Sequence, residues 1–273
     1  MKCDLHPFSF DRDTIKRMKE SRLEHWDNFW EEKKEVKEVY SNSDRVVRNL
    51  VKITDVKGKK ILEIGAGTGR DSFPLVERGA DVYQLDYSMN SLKIMKRIAE
   101  EEKMNVTIIG GDTFQLPFKD GTFDIIFHQG LLEHFRHDKA TALLKENIRV
   151  LKTGGLLCVD VPQRYHIYTV IKTFLIAIDK WFAGWERSFS VPELKDEMEK
   201  LGLQTVHTYG EWMYPSLFYR MTREALRAVK IKLPLNPKVP ILYNFRKVLR
   251  DALKDSALAT YTALSMGVIG KKM

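Results

Sequence analysis

KKILEIGAGTGRD, residues 59–71, reads as a buried strand (Ile61 to Ile64) running into a tight turn with glycine at positions 65, 67 and 69. Alternate glycines let a backbone turn sharply and approach a ligand without Cβ clashes. Asp71 to Glu77 then reads as the opening of a helix. Downstream, short apolar runs alternate with amphipathic helices. DVYQLD (81–86) is a second strand, with a helix from Ser88 to about Lys103 after it. VTIIGGD (106–112) is a third strand and TFDIIFHQG (122–130) a fourth. A helix over KATALLKENIRVLK (139–152) leads to a fifth, GGLLCVDVP (154–162). Strands separated by helices at this spacing imply an α/β fold with a doubly wound parallel sheet.

The flanks differ in character. Residues 1–57 read as a charged, helical N-terminal cap with Trp26, Phe29 and Trp30 in LEHWDNFW, and Ser43-Asp44 as a helix start. After the core at 58–162, residues 163–189 form an aromatic-rich insertion. Val191 to Leu201 resumes as a helix with Gly202 at its C-cap, and LQTVHTYGEW (203–212) reads as a sixth strand. Residues 213–256 form a second insertion, where Pro234, Pro237 and Pro240 exclude one continuous helix. LATYTALSMGVIGKKM (258–273) alternates like a strand that rejoins the sheet. Segments 190–212 and 257–273 thus belong with the core, and the two insertions are additions to one domain.

Composition bounds the class. In 273 residues, 44% hydrophobic and 30% charged content supplies a full core and excludes a disordered chain. Two cysteines, Cys3 and Cys158, are too few for a disulfide framework or a cysteine-built metal site, and a reducing cytosol is expected. The opening MKCDLHPFSFDRD lacks the apolar core of a signal peptide, and Lys172, Asp179 and Lys180 interrupt the apolar stretch 167–185. A cytoplasmic protein with peripheral membrane contact at most is the expectation. The net charge is +8, and ten Lys/Arg against Glu224 and Asp251 between Arg220 and Lys254 account for all of it. Such a segment is either a solvated face or a surface for an anionic partner: a phosphorylated substrate, a lipid surface or nucleic acid.

The glycine turn is not the dinucleotide fingerprint G-x-G-x-x-G, because Arg70 stands where the third glycine would fall. No G-K-[ST] follows, so it is not a P-loop either. Two aspartates give the turn its meaning. Asp86 ends the second strand at the carboxyl edge, where open α/β sheets bind ligands, and an ionised carboxylate can accept two hydrogen bonds at once, as a ribose diol requires. Asp112 ends the third strand on the same edge, with Thr113 and Phe114 beside it, suited to an adenine amino group. The alternative role for both is to cap turns or helices.

ILEIGAGTGRD, QLDYS, GGDTFQLPF, FDIIFHQGLLEHF and LKTGGLLCVDVP, in that order, resemble the class I S-adenosylmethionine-dependent methyltransferases, most closely the ubiquinone/menaquinone-biosynthesis-like small-molecule group. The resemblance covers roughly residues 40–162. It implies a Rossmann-like seven-stranded sheet of order 3-2-1-4-5-7-6, with the seventh strand antiparallel. It also implies S-adenosylmethionine as cofactor and S-adenosylhomocysteine as product. Matched position by position, it assigns Glu63, Gly65, Ala66 and Gly67 to the methionine-side loop, with Gly69 also among the cofactor-binding residues, and Asp86 to the ribose hydroxyls. Tyr87 falls near the adenine, Asp112, Thr113 and Phe114 at the adenine edge, and Gln129 and Gly130 near the methionine moiety.

A sulfonium methyl is already activated, so transfer depends mostly on distance and alignment. A general base is needed only where the acceptor must lose a proton. Candidates at the right edge are His128, Glu133, His134, Tyr165 and His166; His134 is the one singled out, with a structural turn histidine as the alternative. No cluster has metal-ligand spacing. The N-terminal helices and both insertions would cover the acceptor. Trp181, Phe182, Trp185 and Phe189, then Trp212, Tyr214, Phe218 and Tyr219, are either ordinary core or an apolar lid over a hydrophobic, lipid-like small molecule. With the basic segment 220–254 they could also meet an anionic membrane. An RNA acceptor, an aminopropyl transferase and a non-catalytic cofactor-binding partner subunit are the competing readings. Oligomeric state is left open.

Overall fold

The computed structural model describes residues 23–32, 44–179, 181, 183–212, 217–234, 240–253 and 256–273. Cys3, Ser43, Phe182, Tyr214 and Pro237 lie outside them. In chain order the elements are α1 (Leu23–Glu32), α2 (Asp44–Ile53), β1 (Lys60–Ile64), a 3₁₀ turn (Arg70–Ser72), α3 (Phe73–Val76), β2 (Asp81–Asp86), α4 (Met89–Glu101) and β3 (Thr107–Gly110). Then come β4 (Phe123–Gln129), a 3₁₀ turn (Leu132–His134), α5 (His137–Val150), β5 (Leu151–Pro162), α6 (Ile167–Ala177), α7 (Val191–Glu199), β6 (Leu203–Glu211), α8 (Leu217–Ala228), α9 (Pro240–Leu253), α10 (Ala257–Thr262) and β7 (Ser265–Lys272).

The seven strands form one sheet of order β3-β2-β1-β4-β5-β7-β6. The first five are parallel, and β7 is antiparallel to both β5 and β6. This is the doubly wound sheet anticipated above. Both faces are covered, which is why the central strands are almost continuously apolar. Ile126, Val159 and Val161 pack under α5 and α7, while Ile125, Phe127 and Cys158 pack under α2 and α3. Strand order reverses between β1 and β4, and the crevice that this opens at the carboxyl ends sets the place of the site.

Three boundaries differ from the sequence reading. The residues after Gly69 make a 3₁₀ turn and one turn of α-helix, because Gly69 and Ser72 are bound sideways to Gln84 on β2. The helix expected to reach Lys152 stops at Val150, since Leu151 already pairs with Phe123. Residues 257–262 are helix, not strand. The Ser256 hydroxyl accepts from the Ala259 amide at 3.1 Å, and the α10 backbone sits against Gly210, where a Cβ would come 2.4 Å from the Ala259 carbonyl. Strand begins only at Ser265. Proline separates α8 from α9 as anticipated, with Pro240 as the first residue of α9, a position where its missing N–H is harmless.

α2 is locked to the sheet by charge. The Arg45 guanidinium, 6% exposed, makes a bidentate pair with Asp160 of β5 at 2.8 and 2.7 Å, and Asp160 also accepts from Ser265 Oγ at 3.2 Å. The Asp160 carbonyl receives the Gly130 N–H, so the pair also steadies the loop leaving β4. Removing one partner strands the other charge in the interior. We expect Asp160→Ala to lose about 3–5 kcal/mol of unfolding free energy, read as the shift in urea midpoint. Replacing Arg45 and Asp160 together by Met and Leu should recover a large part of that loss.

Candidate functional site

A cavity of ≈430 Å³ opens at the carboxyl ends of β1, β2, β3 and β4. Its floor is the turn after β1. Gly65, Gly67 and Gly69 all have positive φ, at 66°, 56° and 73°. A Cβ on Gly67 would stand 2.7 Å from the Trp30 ring, so only glycine lets that indole close down on the turn. Gly69 does different work. Its Cβ would strike the Gln84 amide at 2.6 Å, and its carbonyl accepts from Gln84 Nε2. It fastens the turn from behind and does not line the cavity, unlike Glu63, Gly65, Ala66 and Gly67.

Asp86 closes β2 almost completely buried. Its Oδ2 accepts the Gly67 N–H at 2.9 Å and its Oδ1 the Ser88 N–H at 3.0 Å. Burial pushes this carboxyl's pKa up, and those two backbone bonds oppose the rise. Asp112 is exposed at the mouth, with Oδ1 accepting the Phe114 N–H at 2.9 Å. Tyr87, Thr113, Phe114, Gln129 and Gly130 also line the space. The sequence candidates Glu63, Asp86, Asp112 and Gln129 therefore converge on one cavity from β1, β2, the loop after β3, and β4.

The floor is acidic and unsatisfied. Among the described residues Glu63 Oε2, Thr113 Oγ1 and Gln129 Oε1 have no hydrogen-bond partner, though all three are buried. Glu63 is held well above the usual carboxylate range by burial and then by Asp71 beside it. Asp71 is itself raised by burial and accepts from Gln129 Nε2 at 3.0 Å. A cationic ligand group reaching this floor would relieve both acids.

Several lining residues were not assigned to the site from the sequence: Leu23, Thr68, Arg70, Asp71, Leu85, Gly111, Leu131, Phe135, Lys139 and, though their cluster was noted, the two tryptophans of α1. Trp26 and Trp30, four apart, share one helix face, a spacing that could have revealed them. Asp27 docks that helix, accepting from Ser88 Oγ and, at 3.4 Å, from the Asn90 N–H. Trp26 then meets the His134 ring edge-on at 4.9 Å.

Of the candidate bases, His134 lines the cavity. His128 is fully buried in β4, where burial drops its pKa to about 3. Tyr165 is exposed, and His166 caps α6 by accepting the Tyr168 N–H at 3.1 Å. His134 Nδ1 lies 3.9 Å from Glu186 Oε1, which also accepts from Trp181 Nε1 at 2.8 Å. The other Glu186 oxygen is 3.1 Å from Lys172 Nζ, and both side chains are buried. Burial lowers the His134 pKa, against the pull of Glu186. For Glu186 burial works upward, but Lys172 and His134 outweigh it and hold the carboxyl ionised. No group of metal-ligating side chains occurs among the described residues.

Residues 61–155 match the family model described as a methyltransferase domain. A demethylmenaquinone methyltransferase of Renibacterium salmoninarum is 38% identical over 104 residues, 38% of this chain and 41% of that protein. One of Paenarthrobacter aurescens is 39% identical over 130 residues, 45% and 49% of the two chains. The chain thus matches half or less of the length of these relatives. A solved S-adenosylmethionine-dependent methyltransferase of Thermotoga maritima covers 92% of this chain and 100% of its own at 20% identity with TM-score 0.62, a likeness of fold.

Glu133, next to His134, carries the clearest pH signature. Burial, with Glu186 nearby, pushes its carboxyl up to about 8 from an ordinary value of 4.5. Across that window the folded chain holds a proton that the unfolded chain has lost, so stability falls as pH rises from about 4.5 to about 8. Glu133→Gln keeps the shape without the ionisation. Its unfolding free energy relative to wild type, from urea titrations, should be higher at about pH 9 than at about pH 5 by on the order of a few kcal/mol. A difference flat in pH would show that Glu133 does not hold the proton.

Proposed function

We propose, from the match of residues 61–155 to the methyltransferase-domain family, that the chain binds S-adenosylmethionine in the cavity above β1 and β2 and methylates a small hydrophobic acceptor. The observation that carries the reading is the convergence of Glu63, Asp86 and Asp112, ends of successive strands, on one cavity floored by a glycine turn. The donor set fits the cofactor. Asp86 would accept from the ribose hydroxyls; Asp112 and Thr113 would read the adenine edge, with Tyr87 and Phe114 beside the base. Glu63, Gly65, Ala66, Gly67, Gln129 and Gly130 would hold the methionine end, whose cationic groups suit an acidic floor with an orphaned carboxylate oxygen. Gly69 supports this loop from behind without touching the ligand. When bound, the cofactor supplies an already activated sulfonium methyl.

The chain's own residues then have three tasks. Trp26 and Trp30 exclude water from the cavity. His134, the candidate base that reaches the cavity, would take a proton from an acceptor that must lose one, with Glu186 and Lys172 fixing the charge behind it. Segments 163–189 and 213–256, beyond the family match, would cover the acceptor and choose it. The relatives named as demethylmenaquinone methyltransferases support a small-molecule acceptor, and a demethylated quinone is the first compound to try.

Calorimetric titration tests the cofactor directly. S-adenosylmethionine and S-adenosylhomocysteine should bind at micromolar strength and NADH should not. Asp86→Ala should weaken both by about tenfold or more, about 1.4 kcal/mol, and should also lower the unfolding midpoint, because the Gly67 and Ser88 N–H groups lose their acceptor. Binding of NADH alone would turn the glycine turn into a dinucleotide site and end this reading.

A further inference from the structure

Both insertions hang from the edge of the sheet that carries the cavity. β5 and β6 are each antiparallel to β7, so α6 leaves β5 and α8 follows β6 on the side where β1 and β2 also end.

The helices here are turned the wrong way for a water-soluble surface. An amphipathic surface helix normally buries its apolar stripe. On α6 the residues at helical spacing that face outward are Ile167, Val170 and Phe174. On α8, Phe218 is 81% exposed and Met221 lies one turn on, also exposed. α9 presents Phe245 and Val248, the latter 69% exposed. Single exposed hydrophobics are ordinary, but stripes on three helices of the two insertions mark a surface that meets something apolar.

Charge selects the partner. The excess of +8 lies in 220–254, the same stretch that forms most of α8 and α9, with Lys230 and Lys232 exposed between them. A second copy of the chain would bring two such segments together against their repulsion. A nucleic acid strand would answer the charge but has little use for Ile, Val and Met, since it seeks flat aromatic faces. An anionic bilayer answers both, with aliphatic and aromatic side chains in the acyl boundary and lysines at the headgroups. Among the described residues no helix is long and apolar enough to cross a membrane, so the contact is superficial.

We propose that α6, α8 and α9 form an interfacial surface that seats the protein on an anionic bilayer, with the cavity-bearing edge of the sheet toward the lipid. This deepens the methyltransferase reading, since a hydrophobic acceptor would then be met where it resides, yet its test uses no turnover.

The full chain would be sedimented with vesicles of phosphatidylcholine alone and of phosphatidylcholine with about one quarter phosphatidylglycerol, across a salt series. It should sediment with the anionic vesicles, weakly with the neutral ones, and less as salt rises. Phe174→Ser, Phe218→Ser and Phe245→Ser combined should lower partition at least about tenfold, with S-adenosylhomocysteine affinity unchanged in the same samples. Lys230→Glu with Lys232→Glu, on an exposed turn, tests the charge even if the triple variant misfolds, and should lower anionic binding alone. No sedimentation with either vesicle, retention unaffected by both variants, a dimer dissolved by the Phe→Ser changes, or RNA binding lost with them would each overturn the proposal. Intact cofactor binding alongside such a result would leave the methyltransferase reading standing.

Discussion

Asp86 is the point on which the site depends. One carboxylate receives the Gly67 N–H from the turn after β1 and the Ser88 N–H from the start of α4, so a single buried side chain fixes two loops. The rest follows by contact. Ser88 caps α4 by accepting from the Ser91 N–H, Ser91 Oγ donates to the Gly67 carbonyl at 2.7 Å, and Ser88 Oγ reaches back to Asp27. Asp27 seats α1, and α1 brings Trp30 over Gly67 and Trp26 against His134. The geometry of the floor and the closure of the roof thus share one origin.

The surroundings of that point place charge in the interior at several sites, which a fold selected for stability alone would avoid. Arg45–Asp160 and Lys172–Glu186 are paired, and their pairing offsets the desolvation. Glu63, Asp71 and Glu133 are raised by burial, and for Asp71 and Glu133 the nearby Arg45 and Lys172 do not offset it. Such local conflict between burial and ionisation gathers where a ligand resolves it. The two kinds of site divide cleanly here: pairs lie behind the cavity, and the raised acids lie at its floor or just beside His134.

Much of this was legible in the sequence, for physical reasons that differ by element. The parallel strands announced themselves because both faces are buried, leaving IIF without polar interruption and ILEI broken only by Glu63. Asp86 and Asp112 were legible because strand ends at the carboxyl edge are where such sheets meet ligands. The order of β7 and β6 came from the family resemblance, as nothing in local periodicity encodes which strand pairs with which. The packing of Gly69 was not legible because its partner is Gln84, 15 residues on, and a glycine facing a ligand looks the same in sequence as one facing a side chain. Residues 258–262 alternated like a strand, but Ser256 and the space above Gly210 decided for helix. The Lys172–Glu186 pair joins a helix to an irregular loop, a juxtaposition with no period at all. The outward apolar stripes of α6, α8 and α9 were equally hidden, since spacing gives a face and not its direction.

The central claim is that Asp86 and the glycine turn hold S-adenosylmethionine's demethylated product as they would the cofactor itself. Amide hydrogen exchange followed by mass spectrometry, with and without S-adenosylhomocysteine, addresses it segment by segment. Slowed exchange confined mainly to peptides spanning 63–69, 86–91, 111–114 and 129–134, together with α1 as the roof closes, is the predicted result. Protection that spares the first two of those segments, or falls instead on α8 and α9, would contradict the account.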